Sequence, residues 1–256
     1  MRQTLEATRR TILTKFDGHC LRDDIRHFLV IPDSCGIVEG LSLGADLELT
    51  NTGFPVTKPL FRRPEDLLEI RDISTQPAAR EMLGFIRNCP ADRDVMLCVE
   101  APYSVLSSAA DQTLLYTWLV RYPGLIHSAL NAITDGLAGY VGNALSNGAR
   151  VISIADPYAR PDVIGAARYI EYAARYQHRL LKLLANKNSG IIHLCPHCSL
   201  RLEAYGYVTT RKNTFDIRPY YEALLETGTG EVAFVGHQCV HTPKTDSIYE
   251  LKLSDY

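Results

Sequence analysis

The chain has little net charge: 27 basic residues against 29 acidic ones in 256 leave a formal charge of -2. That balance gives no electrostatic footprint for nucleic acid or an acidic membrane surface, so neither is expected as a partner. Long hydrophobic runs are also missing; nothing approaches the roughly 18 consecutive apolar residues needed to span a bilayer. Residues 1–18 mix Arg9, Arg10 and Lys15 with Glu6 and Asp17 and do not read as a secretory signal. A soluble, cytoplasmic protein is expected. There is no internal repeat, low-complexity tract or Gly/Ser linker to divide the chain. A single domain over 1–256 is therefore expected, with 1–25 as a helical N-terminal extension, a length ordinary for an α/β barrel. Several catalytic signatures are absent as well: Gly-x-Ser-x-Gly, a phosphate-cradling Gly-rich loop with Lys, and His-Glu-x-x-His.

What is present is alternation. Short runs rich in Val, Ile and Leu recur at His27–Ile31, Val95–Val99, Val151–Ala155, Gly190–Leu194 and Glu231–Val235, and most of the intervals between them carry helical periodicity. Alternating strands and helices point to parallel βα units. The clearest helix is expected from about Gly124 to Asn147, where Leu125, Ala129, Ile133, Leu137, Val141 and Leu145 make one apolar stripe that Gly148 ends. A second is expected from about Asp162 to Asn186, with Arg168, Arg175, Arg179 and Lys182 as its solvated face.

Seven cysteines, an odd number with no export signal, argue against a disulfide framework and for metal binding or reactive thiols. Three of them, Cys195, Cys198 and Cys239, share a short stretch with His193, His197, His237 and His241. Thiolate and imidazole together are the ligand set zinc prefers. His193 and Cys195 stand two apart at the end of an apolar strand, so period-2 alternation predicts one shared face, the barrel interior. Cys239 follows Glu231–Val235, read as the last strand, at the corresponding C-terminal end where barrel active sites assemble. His193, Cys195 and Cys239 are thus candidate zinc ligands. Cys198, in Cys195-Pro196-His197-Cys198, or His237 would close the site into a purely structural one if it joined them; a metal-free reading makes the cysteines small buried residues.

These motifs resemble the zinc-dependent methylcobamide:coenzyme M methyltransferases, a branch of the uroporphyrinogen decarboxylase superfamily. The matching stretches are Ile192-His193-Leu194-Cys195 and Gly236-His237-Gln238-Cys239-Val240-His241-Thr242-Pro243, with Ala155-Asp156-Pro157 and Ala101-Pro102-Tyr103-Ser104 similar to further landmarks. The resemblance implies an α/β fold, a TIM-type (β/α) barrel, reduced or incomplete because the first strand and about one later βα unit have no counterpart. It implies Zn2+ held by His193, Cys195 and Cys239, and a methyltransferase moving a methyl group between a methylcorrinoid (cobalamin-type) supplied by a partner protein and a small thiol such as coenzyme M. Porphyrin decarboxylation is not expected, since the decarboxylases use an Arg-rich N-terminal motif and lack these cysteines.

Asp156, at the end of a strand, is a candidate for orienting the bound thiol or the corrinoid, or else for capping the helix after Pro157. Glu100, at the equivalent end of Val95–Val99, is a candidate pocket residue. Cys35 reads as a turn cysteine. Two alternatives stay open: a non-catalytic subunit that binds a corrinoid protein, and a donor-side demethylase that loads the corrinoid. A homodimer closing the exposed strand edges is a further expectation.

Overall fold

The computed structural model describes residues 28–31, 36–49, 55–187, 190–228 and 231–255; the expected extension 1–25 and Cys35 lie outside them. Five of the strands fall where the apolar runs predict them: β1 (Phe28–Ile31), β4 (Asp94–Glu100), β5 (Ala149–Ala155), β6 (Gly190–Leu194) and β8 (Val232–Gly236). They pair in parallel in that order. Burial on both faces explains the near-continuous hydrophobic character of β4, β5 and β6. A small antiparallel pair, β2 (Leu47–Leu49) and β3 (Pro55–Thr57), stands apart.

The helices, in chain order, are α1 (Ile37–Leu43), α2 (Pro77–Arg87), α3 (Pro102–Ala109), α4 (Gln112–Arg121), α5 (Pro123–Ser146), α6 (Arg175–Ala185), α7 (Pro196–Ala204) and α8 (Tyr220–Thr227), besides shorter helical turns. Helix α5 has proline at its first turn, where the missing N–H costs nothing, and Gly148 takes φ 109 just beyond its end. Its stripe is buried as expected from Ala129 to Val141. The second expected helix is not one piece. Gly165, at φ 85, separates the turn Pro161–Ile164 from Ala166–Arg168, and Tyr169–Ala174 is π-helical before α6 continues to Ala185. On its solvated face Arg179 pairs with Asp135 of α5 at 2.7 Å.

The expectation that Glu231–Val235 is the last strand is corrected. Two further strands, β7 (Val208–Pro219) and β9 (Lys244–Leu253), pair antiparallel with each other, and β9 pairs antiparallel with β8. The seven-stranded order is β1-β4-β5-β6-β8-β9-β7. Among the described residues β1 and β7 are its outer edges and do not pair with one another. None of the helices among the described residues is long and apolar enough to cross a membrane.

The sheet separates two apolar clusters. The larger takes Leu97, Ile152, Ile154, Ile192 and Leu194 together with α5 and α6. The smaller takes Met96, Val151, Ile191 and Val235 with Tyr220 and Leu224 of α8. On the same alternation as the smaller cluster, Cys98, Ser153, His193 and Val235 stand in register across four strands. That row leads to the site.

Candidate active site

Strand β6 ends at Leu194 and α7 starts at Pro196, which makes Cys195 the N-cap of that helix. Its N–H donates to the Ile154 carbonyl at 3.0 Å, tying it to the end of β5, and its carbonyl accepts from Cys198 N–H at 2.9 Å. One helical turn then brings the two sulfurs to 3.6 Å. Cys195 is half-buried and Cys198 is buried. The contact with Cys198, together with the N–H groups of the first turn and His197, outweighs burial and pulls the Cys195 thiol down to about 6. The same sulfur contact and burial push the Cys198 thiol well above its ordinary range. A cysteine at a helix N-terminus with a second thiol one turn on is a setting that favours thiolate.

Asp156, just past β5, accepts at Oδ1 from the N–H of Ser104 at 3.0 Å and from the Ser104 hydroxyl, and at Oδ2 from the Gln177 amide. Ser104 lies in the first turn of α3. The carboxylate therefore caps α3, and the expectation that its side chain caps the helix after Pro157 is corrected. Burial outweighs these bonds and pushes its pKa up to about 6. A cavity of about 430 Å³ opens here, lined among others by Asp156, Arg160, Cys195, His197 and Arg201. Arg201 is braced by the Ala159 carbonyl at 3.0 Å and by the Tyr169 ring, and Arg160 pairs with Asp162.

His193 occupies the other side. It is fully buried, its ring stands edge-on to Tyr220 with centroids 6.1 Å apart, and its Nε2 lies 2.9 Å from the Gln238 carbonyl. A carbonyl cannot donate, so Nε2 carries the proton and Nδ1 accepts from the Ser153 hydroxyl at 3.0 Å. Burial pulls the imidazole pKa down to about 4, which keeps it neutral. Cys239 is exposed and lies close enough to Tyr220 to add to the rise that burial imposes on the Tyr220 hydroxyl pKa.

The three expected zinc ligands thus divide. His193 stands edge-on to Tyr220, whose hydroxyl also feels the charge of Cys239, while Cys195 packs with the larger cluster and meets Cys198. The shared face expected of His193 and Cys195 is corrected, because alternation ends at Leu194 and an N-cap residue follows the helix turn instead. Zinc suits the donor types, yet among the described residues no group of three or more His, Cys, Asp or Glu side chains is arranged to hold a metal ion. As folded, the arrangement does not fit the ion.

The remaining candidates lie outside the cavity wall. Glu100 is buried with its carboxylate against Gly36, where an added Cβ would come within 2.6 Å of Oε2, and its N–H donates to Glu39 at 3.1 Å. His237 takes φ 66, and its Nε2 lies 3.4 Å from both Glu203 and Thr210. The sequence reading missed Arg201 and Arg160 as wall residues. A signal existed for Arg201, which follows Cys198 by three positions and so shares its helical face.

Residues 29–223 match the uroporphyrinogen decarboxylase (URO-D) family. The chain belongs to that family. Among URO-D relatives it is similar to a methylcobamide:CoM methyltransferase of Methanosarcina barkeri, 29% identical over 172 residues, 63% of this chain and 49% of that protein. A methylated-thiol–coenzyme M methyltransferase of Methanosarcina mazei is 28% identical over 145 residues, 55% of this chain and 39% of its own length. A uroporphyrinogen decarboxylase of Prochlorococcus marinus is 26% identical over 152 residues, 56% of this chain and 43% of its own. The chain spans half or less of the length of these relatives. A solved methyltransferase from Methanosarcina mazei superposes with a TM-score of 0.54 at 21% identity, covering 75% of this chain and 57% of that one. The fold is accordingly an α/β fold of the URO-D barrel type, whose outer strands do not pair with one another among the described residues.

Proposed function

We propose that this URO-D family chain moves a methyl group between a methylated corrinoid, carried by a separate protein, and a small thiol such as coenzyme M. The supporting observation is the cavity at the C-terminal ends of β5 and β6, where Cys195, Asp156, Arg160 and Arg201 share one wall. Ends of parallel barrel strands are where such enzymes assemble their chemistry. Positive charge from Arg201, Arg160 being paired with Asp162, favours the ionised form of an incoming thiol, and the thiolate is the nucleophile. The rigid part of the wall is set by Asp156, which locks the first turn of α3 and the Gln177 amide to the end of β5. A methyltransferase is favoured over the decarboxylation named for the Prochlorococcus relatives because the wall carries a thiol-rich turn.

His193, Cys195 and Cys239 remain the proposed zinc ligands, with Cys198 and His237 as additional donors, on donor chemistry alone. Within this reading Asp156 and Glu100 are positioning residues. The protein is further proposed to act in the cytoplasm and with a corrinoid protein as partner.

The test mixes the protein with methylcobalamin and coenzyme M and follows the cobalt absorption. Thiol-dependent demethylation supports the reading, and dependence on a methylated donor instead would make the chain a donor-side demethylase. Absence of turnover in both directions, with a corrinoid protein still bound, would support the non-catalytic reading, which is motivated by the edges of β1 and β7 being unpaired among the described residues.

A further inference from the structure

We infer that Cys195 and Cys198 form a redox-active dithiol that exchanges with small disulfides bearing acidic groups. This activity belongs to the metal-free protein, since a sulfur held by zinc cannot exchange, and it neither rests on methyl transfer nor requires it.

The geometry carries the inference. A strand, an N-cap cysteine, a proline at the first helical position and a second cysteine one turn later set the two sulfurs 3.6 Å apart on rigid backbone. A Cys-x-x-Cys at a βα junction is the arrangement that dithiol exchange uses. The two positions also differ in the way attack and resolution require. Cys195 is half-buried and faces the cavity, so a disulfide can reach it. Cys198 is 2% exposed, so no bulky disulfide can reach it first. Closing the pair to a bond of about 2.05 Å asks only a side-chain adjustment within one turn.

Substrate class follows from the wall. Arg160 and Arg201 line the same cavity as Cys195, and His197 is exposed beside it. Carboxylates on an incoming disulfide would be held there, and the thiolate that leaves would be stabilised by the same charges.

The step balances. The Cys195 thiolate attacks one sulfur of R–S–S–R, forming a Cys195–S–R bond while the old S–S bond breaks and R–S⁻ leaves. Cys198 then attacks Sγ of Cys195, loses its proton to solvent, and expels the second R–S⁻. Both thiolates take up protons. The pair is oxidised by two electrons and the small disulfide is reduced to two thiols.

The experiment incubates the reduced full chain, freed of metal by a chelator and in a Cys239→Ser background to remove the exposed thiol, with oxidised glutathione, and maps the cysteines by peptide mass spectrometry. Loss of both the Cys195 and Cys198 thiols to one internal disulfide is expected, and Cys198→Ser or Cys198→Ala should accumulate glutathione on Cys195. Cystamine, a cationic disulfide, should react more slowly than oxidised glutathione, and Arg201→Ala should narrow that gap. Glutathione that stays on Cys195 when Cys198 is present, or adducts confined to other cysteines, would overturn the inference. The mapping of the otherwise native pair decides by itself if a Cys198 variant does not fold.

Discussion

His193 donates Nε2–H to the carbonyl oxygen of Gln238 at 2.9 Å, and with Ser153 bonded to Nδ1 both ring nitrogens are engaged inside the protein. The one lone pair of that imidazole, on Nδ1, is taken up by the Ser153 hydroxyl. Zinc binding through His193, Cys195 and Cys239 must therefore either displace Ser153 from Nδ1 or move the proton and break the Gln238 contact, and it must draw together two sides of the sheet. Ala substitution at any of the three residues is expected to remove bound zinc, measured by elemental analysis, and absorption spectroscopy should count two protein sulfurs. Retention of stoichiometric zinc in Cys239→Ala, with loss in Cys198→Ala, would assign the ion to the Cys195–Cys198 turn instead.

Ser153 is the second support of that imidazole, and it is buried. Ser153→Ala leaves Nδ1 without its donor at the cost of about 1–3 kcal/mol for an unsatisfied buried group. Urea denaturation should show a lower midpoint with an unchanged slope. If His193 ligates zinc through Nε2, with Ser153 then accepting from Nδ1–H, losing this partner should also weaken metal affinity by roughly 10–100-fold, whereas ligation through Nδ1 should leave the affinity unchanged or raised. A variant as stable as the parent would mean that the ring does not depend on this hydroxyl.

Both the successes and the failures of the sequence reading have physical causes. Runs such as Val95–Val99 and Val151–Ala155 were legible because strands covered on both faces must be apolar throughout. Strand β7 was not: Arg211, Lys212 and Asp216 are exposed at the sheet edge, and its partner β9 alternates buried Thr245, Ser247 and Leu251 with wetter positions. Antiparallel strands with one solvated face do not read as apolar runs. Within the site, the meeting of Cys195 and Cys198 follows from i,i+3 spacing and could be read locally. The separation of His193 from Cys195 could not, because it depends on where β6 stops, and the position of Cys239 depends on the turn between β8 and β9.

The two buried titratable groups at the site pull stability in opposite directions with pH. Asp156, raised from 3.8 to about 6, holds its proton more tightly when folded, so its contribution is present at low pH and is lost as pH rises through about 6. His193, lowered from 6.5 to about 4, contributes above 6.5 and loses that contribution as pH falls toward about 4. Each shift corresponds to about 3 kcal/mol, so across the shared window the two largely cancel. In metal-free protein, Asp156→Asn should uncover a fall in stability on the acid side, measured as the urea midpoint against pH. The Asn amide can be accommodated because Gln177 Oε1 has no hydrogen-bond partner among the described residues and can turn toward it. Superimposable pH profiles for parent and variant would remove Asp156 from this account.

Helix α5 holds the sheet at the site in place, and its contact with the Ile73–Thr75 turn depends on the absence of a side chain at Gly136. A Cβ there would lie 2.9 Å from the Ile73 backbone nitrogen and 3.3 Å from its Cβ. Backbone cannot yield as a flexible side chain can. Gly84, in α2, has nothing within 4 Å of the same added atom. Replacing glycine by alanine inside a helix favours the folded state by roughly 1 kcal/mol, whereas forcing a methyl into a packed contact costs about 1–3 kcal/mol. Gly84→Ala should therefore raise the denaturation midpoint, and Gly136→Ala should lower it by shifting α5 off the turn. Because α5 packs directly on β5, which ends beside Asp156, the Gly136 variant should also weaken whatever binds in the cavity, while Gly84→Ala leaves that binding unchanged. Equal midpoints for the two variants would show that the helix accommodates the methyl and that this contact does not position the site.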